Sequence, residues 1–171
     1  MLIYRLPSND SRARVAVWRE VRRLGALHVQ QSVLAVPDAE PFEDAVERLR
    51  EVLAEVGGQI TALRSEPLAA GDDGRLLAAW NEARDAEYRE LMGECAKFLA
   101  EIDHEFEIEK FTLAELDEEE AELDKLQRWH ERIQRLDIHG ASGAAGAAAA
   151  LREAEAALAR YSTAVFEHTQ P

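Results

Sequence analysis

Apolar positions along the first third of the chain change period several times, and each change marks an element. "LIYRL" (2–6) is a short β-type run stopped by Pro7. Over the next stretch Ala13, Val17, Val21 and Leu24 recur at spacings of three and four, which predicts an amphipathic helix ending near Leu24. Ser8, Asn9 or Asp10 is placed to cap its start, and Gly25 sits where a left-handed C-cap belongs. "ALHVQQSVLAVP" (26–37) reads as two short strands around a tight turn at 30–32. "PFEDAVERLREVLAEV" (41–56) returns to helical period, with Phe42, Val46, Leu49, Val52, Leu53 and Val56 on one face. Gly57-Gly58 ends that helix, and "QITALRSEPL" (59–68) reads as a strand closing at Pro67.

The order β-α-β-β-α-β is the split-βαβ pattern, so an α+β, ferredoxin-like domain is expected over residues 1–68. "AAGDDG" (69–74) reads as a turn, and only helical periods follow. Leu76, Trp80, Tyr88, Leu91, Cys95, Phe98 and Ile102 mark a long helix over 75–110; Leu116, Leu123, Leu126 and Ile133 mark a second over about 113–136. "HGASGAAG" (139–146) reads as a flexible connection, and the alanine-rich segment after it as a third helix. Residues 69–171 are therefore expected to form a three-helix antiparallel extension, packed over the sheet face that the two early helices leave open.

Charge adds a feature that the periodicity does not explain. The formal net charge of the 171 residues is -14, yet residues 1–36 hold six arginines against two acids. On the first helix Arg12, Arg19, Arg22 and Arg23 fall together opposite the apolar arc, with Val15 among them and Trp18 at the boundary between Arg14 and Arg22. One reading is a solvated face whose charges pair with acidic helices of the same molecule or a twin subunit. "ELDEEEAELDK" (115–125), with seven acids, would supply that counter-surface. The other reading is a phosphate- or oxyanion-binding surface, because the guanidinium fork suits phosphate and a helix start offers unpaired N–H donors. An overall charge of -14 disfavours broad non-specific binding to nucleic acid or anionic membranes, although screening lets a local basic patch act at short range.

The stretch "LPSNDSRARVAVWREVRRLGALHVQQSVLAVPD" resembles the opening of the ChrB N-terminal family: a strand, "LP", a Ser/Arg-rich helix carrying "RV..WR..R.LGA", and a strand pair ending in proline. "RDAEYRELMGE" (84–94) is similar to that family's "EY..L" helix, and "IQRLDIHGASGAA" (133–145) falls at its break between the last two helices. More distantly the opening is similar to the ferredoxin-like domain of PaaX-type repressors. The resemblance implies a role in chromate resistance, as a transcriptional regulator or accessory regulator of efflux genes. It places Ser11, Arg12, Arg14, Trp18 and Arg19 at family-pattern positions, with Arg22 and Arg23 matching less strictly, as the DNA- or anion-binding set. Full-length members carry a further C-terminal domain, so the partners the resemblance admits are DNA or a protein that supplies that domain, beside a second copy of the chain and a small oxyanion.

Other chemistry finds little support. Ferredoxin-like nucleases hold a metal on an aspartate at the end of the first strand, where this chain has Tyr4-Arg5-Leu6. Glu101 and His104 have the Glu-x-x-His spacing of di-iron bundles, but the next helix offers "QRWH", with Gln127 where a carboxylate belongs. Cys95 lies on the apolar stripe and is expected to be a buried thiol, and a single cysteine fits a reducing compartment. No nucleophile–base arrangement, phosphate loop or dinucleotide fingerprint appears, so no enzyme, metal or cofactor is expected. "MLIYRLPSND" turns polar after six residues and no apolar run reaches a membrane span, so a cytoplasmic protein is expected. Three function classes remain: a DNA-binding regulator, a homodimeric protein-interaction module, and a sensor of chromate, sulfate or phosphate.

Overall fold

The computed structural model describes residues 1–7 and 11–169. Among them are β1 (Leu2–Arg5), α1 (Ser11–Leu24), β2 (Leu27–Gln30), β3 (Val33–Ala35), α2 (Glu40–Glu55), β4 (Gln59–Ala62), α3 (Ala70–Glu107), α4 (Leu113–Leu136) and α5 (Ala144–Thr169). The fold is α+β and mostly helical. It divides into two compact units, Met1–Trp80 and Asn81–Pro171. Ser8, Asn9 and Asp10, the expected cap of α1, lie outside the described residues.

In the first unit the four strands form one sheet in the order β2-β3-β1-β4, each neighbouring pair antiparallel. Leu34 of β3 pairs with Leu2 of β1 on one side and His28 of β2 on the other. Leu2 and Leu34 are buried, so theirs is the covered face, and Tyr4 and His28 share it by the two-residue alternation of a strand. The expected helical arc is the buried one: Ala13, Val17, Val21 and Leu24 of α1 and Phe42, Leu49 and Leu53 of α2 complete this core. The indole of Trp80, at the unit's end, meets the Phe42 ring edge-on at 5.4 Å.

The glycines at the end of α2 explain its abrupt stop. Gly57 takes a left-handed φ of 69°, its N–H bonds to the Ala54 carbonyl, and the Gly58 N–H reaches back to Leu53 at 2.7 Å. A Cβ on Gly58 would lie 2.9 Å from the Arg5 carbonyl oxygen, so the close approach to β1 also requires glycine there.

Two boundaries differ from those expected. β4 ends at Ala62 and does not continue to Pro67. Its antiparallel partner β1 begins at Leu2, so beyond the Met1–Leu63 hydrogen bonds the strand has no neighbour left to pair with. The "AAGDDG" segment is helical from Ala70 onward, not a turn. Asp72 and Asp73 stand in the first turn, where carboxylates complement the helix dipole, and Arg75 pairs with Asp72.

The second unit is a three-helix core. Tyr88, Leu91, Cys95, Phe98 and Ile102 of α3 meet Leu116, Leu123, Leu126 and Ile133 of α4 and Leu151, Leu158, Tyr161 and Val165 of α5. Ala147, Ala154 and Ala157 are fully buried, so the alanines act as close-packing surface. α3 ends at Glu107, three residues short of expectation. Glu109 adopts φ 55° and the Lys110 N–H bonds to the Glu105 carbonyl, so a left-handed turn closes the helix without a glycine to announce it. Thr112 then caps α4, accepting from the Glu115 N–H.

The connection over 139–146 was expected to be flexible; two carboxylates pin it instead. Asp85 accepts from the Ser142 hydroxyl at 2.9 Å and the Gly143 N–H at 2.7 Å, and Asp137 accepts from the Ala141 N–H and the Tyr88 hydroxyl. Gly143 is held so close to Tyr88 that a Cβ would lie 2.9 Å from the tyrosine Cβ.

Candidate functional site

Burying one face of α1 leaves its arginines outside. Ser11, Arg12, Arg14, Arg19, Arg22 and Arg23 are all exposed. Local partners treat them differently. Arg23 Nη1 binds Glu20 Oε1 at 2.7 Å, and the Arg22 guanidinium carbon lies 5.2 Å from the centre of the Trp18 ring, a cation–π distance. Arg14 and Arg19 have no acidic partner among the described residues.

Beside these charges the helix and the sheet leave a groove of about 350 Å³. Its walls are Leu6, Val15, Val17 and Val21, with the rings of Tyr4 and Trp18 and the cationic or ionisable heads of Arg14 and His28. Trp18 is 54% exposed and Val15 46% exposed, large apolar surfaces left open next to positive charge. The Tyr4 hydroxyl donates to the Gln31 carbonyl at 3.2 Å, which fixes that ring through the β2–β3 turn.

The structure leaves the expected arginines exposed on α1, with Arg14 beside the buried face, and makes the boundary residue Trp18 a wall of the cleft. Tyr4, Leu6 and His28 are the cleft residues that helix periodicity alone did not find. Their signal was the alternation of β1 with Leu2 inside, and the β2–β3 register that aligns His28 with Leu34.

The other singled-out residues fall in the second unit. Glu101 and His104 are both exposed, with His104 Nδ1 3.9 Å from Glu107. Gln127 donates to Glu155 at 2.8 Å, and His130 is buried, which pushes its pKa down. Among the described residues no group of three or more His, Cys, Asp or Glu is arranged to hold a metal ion. Cys95 is completely buried and its thiol pKa is raised by that burial, as expected of a structural thiol.

Most of the acidic run lies on the exposed side of α4, where Asp117, Glu120 and Asp124 line a shallow groove with Leu123 and Leu158. Glu119 does not share that fate. It is 92% buried as the complement of its 8% exposure, and burial plus Glu101, Glu105, Glu115 and Glu122 raise its pKa to about 7. Its signal in the sequence was its position, three residues after Leu116 and four before Leu123 on the apolar stripe of α4, which the surrounding run of acids masked. Among the described residues no helix is long and apolar enough to cross a membrane.

No curated protein and no solved structure matches the chain. A family match does: "Protein ChrB, N-terminal" covers residues 14–171, which includes α1 from Arg14, all of the second unit and the groove residues other than Tyr4 and Leu6. The chain therefore belongs to the ChrB N-terminal family and is a chromate-resistance-related protein.

Proposed function

We propose that the chain is a transcriptional regulator, or accessory regulator, of resistance genes that contacts DNA phosphates through α1. The observation that carries this reading is the state of the arginines. In a protein of net charge -14, Arg14 and Arg19 stand exposed without an acidic partner among the described residues, beside the half-exposed Trp18. A face serving only solvation has acids available for pairing almost everywhere else on this chain. Exposed arginines on α1 without acidic partners among the described residues suit a polyanion. Family membership supports the same direction, and the reading requires no catalytic step, metal or cofactor.

We further infer a ferredoxin-like arrangement for the first unit. Its β-α-β-β-α-β order and the antiparallel sheet order β2-β3-β1-β4 support it. Such a sheet presents α1 as a rigid ridge, the requirement for a surface that positions several charges at once.

The test is a gel-shift and anisotropy titration against duplex DNA from the gene's own promoter, at low and physiological salt, with the Arg14→Glu, Arg19→Glu variant beside the wild type. Tight, sequence-dependent binding is expected, and removing two phosphate contacts should flatten the log–log salt slope by about 2. No binding at either salt would refute the reading.

A second reading has its own observation. The groove lined by Asp117, Glu120 and Asp124 is complementary in charge to α1, so a second copy of the chain could seat its arginines there in a homodimer. That reading predicts a dimer dispersed by salt and no DNA affinity.

A further inference from the structure

We propose that the groove between α1 and the sheet receives an unpaired base, so that a single-stranded segment, its phosphates against the arginines of α1, is held more tightly than closed duplex DNA. The inference rests on the DNA-binding reading and specifies its ligand. Three features of the groove lead to it.

The first is its lining. A surface built only for duplex phosphates would be polar throughout, yet this one is lined by Leu6, Val15, Val17 and Val21 together with Tyr4 and Trp18, with Arg14 as its one arginine. A base in a closed duplex is stacked on both faces and must first lose a few kcal/mol of stacking and pairing to occupy such a cleft, roughly the whole gain on offer; an unpaired base has free faces and gains from apolar and aromatic contact without that cost.

The second is the state of Trp18. Arg22 stands 5.2 Å from the ring centre but does not line the groove, whereas the indole does. The guanidinium therefore covers one part of the ring and restrains it, leaving another part presented to the cleft. A base resting there would extend a stack of guanidinium, indole and base, and it would meet a ring already ordered.

The third is size and charge. A cleft of about 350 Å³ is at the scale of a small-ligand site and holds a base with its sugar. Arg14 lines the same cleft, and Arg22 stands at the Trp18 ring, so cations flank the place where the sugar–phosphate would leave the groove. Neutral aromatic ligands would leave that charge unused.

The experiment compares fluorescence anisotropy of labelled oligothymidylate with that of a duplex of equal length, at one salt concentration, for wild type, Trp18→Ala and Trp18→Phe. Thermal melts confirm that the variants fold, as an exposed side chain allows. Wild type should prefer the single strand by on the order of tenfold, matching the loss typical of deleting one stacking platform. Trp18→Ala should abolish the preference and Trp18→Phe should retain most of it. Equal affinity of the wild type for both forms, or a preference that survives in Trp18→Ala, overturns the inference while the duplex-binding regulator stands. Binding to neither form overturns both.

Discussion

Glu119 gives the sharpest quantitative test of the second unit. Its carboxyl is 8% exposed among Leu-rich neighbours, and Glu101, Glu105, Glu115 and Glu122 surround it with like charge. Both effects disfavour ionisation, and burial is the larger. A carboxyl whose pKa rises from 4.5 to about 7 on folding penalises the folded state as pH increases. Below 4.5 the group is protonated in both states and costs nothing. Between 4.5 and 7 the unfolded chain ionises first, so stability falls, and above 7 the full cost is present. At about 1.4 kcal/mol per pH unit the ceiling is about 3 kcal/mol, and partial access of solvent to the cluster reduces it to about 1–2 kcal/mol. Glu119→Gln keeps the shape and removes the titration. Differential scanning calorimetry at pH 4 and pH 8 should find the variant level with wild type at pH 4. At pH 8 it should melt about 2–8 °C higher, since each kcal/mol moves the midpoint of a domain this size by about 2–4 °C. A variant that melts with a constant offset at both pH values, or lower at pH 8, refutes the electrostatic account.

Other expected outcomes test the contacts that set the fold. Gly143→Ala should destabilise by about 1–3 kcal/mol in urea unfolding, because its Cβ meets the Tyr88 Cβ at 2.9 Å in a connection held by Asp85. Asp85→Ala should cost about 1–2 kcal/mol in the same assay through loss of the two bonds at the start of α5. Glu109→Gly should raise stability by about 0.5–1 kcal/mol, since glycine adopts the φ of 55° without a Cβ clash. Cys95, fully buried with a raised thiol pKa, should react with a disulfide reagent only as fast as the second unit opens, so labelling should accelerate with denaturant and not with small pH increases.

What the sequence determined by itself was the local grammar. Period-two runs bounded by Pro7 and Pro37 placed β1 and the β2–β3 hairpin, and the three-and-four spacing of Ala13, Val17, Val21 and Leu24 identified both α1 and its buried face. These signals are strong because a helix or strand can bury only one face, so the pattern must appear in the chain itself. The arginine cluster on the opposite side of α1 was equally legible, since a helical wheel needs only the sequence.

Tertiary structure decided what depends on neighbours distant in sequence. β4 stops at Ala62 because its partner starts at Leu2, a limit set sixty residues away in the chain and roughly invisible to local propensity. The loop at 139–146 is ordered because Asp85, from another helix, caps it. Trp18 became a groove wall only once Tyr4, Leu6 and His28 were brought beside it by the sheet register. The register with Leu116 and Leu123 puts Glu119 on the inner side of α4, but its raised pKa required the burial and the Glu101 and Glu105 charges that packing against α3 brought to it. Composition and period report the forces along the chain, whereas a cleft or a shifted pKa arises from groups that folding alone makes adjacent.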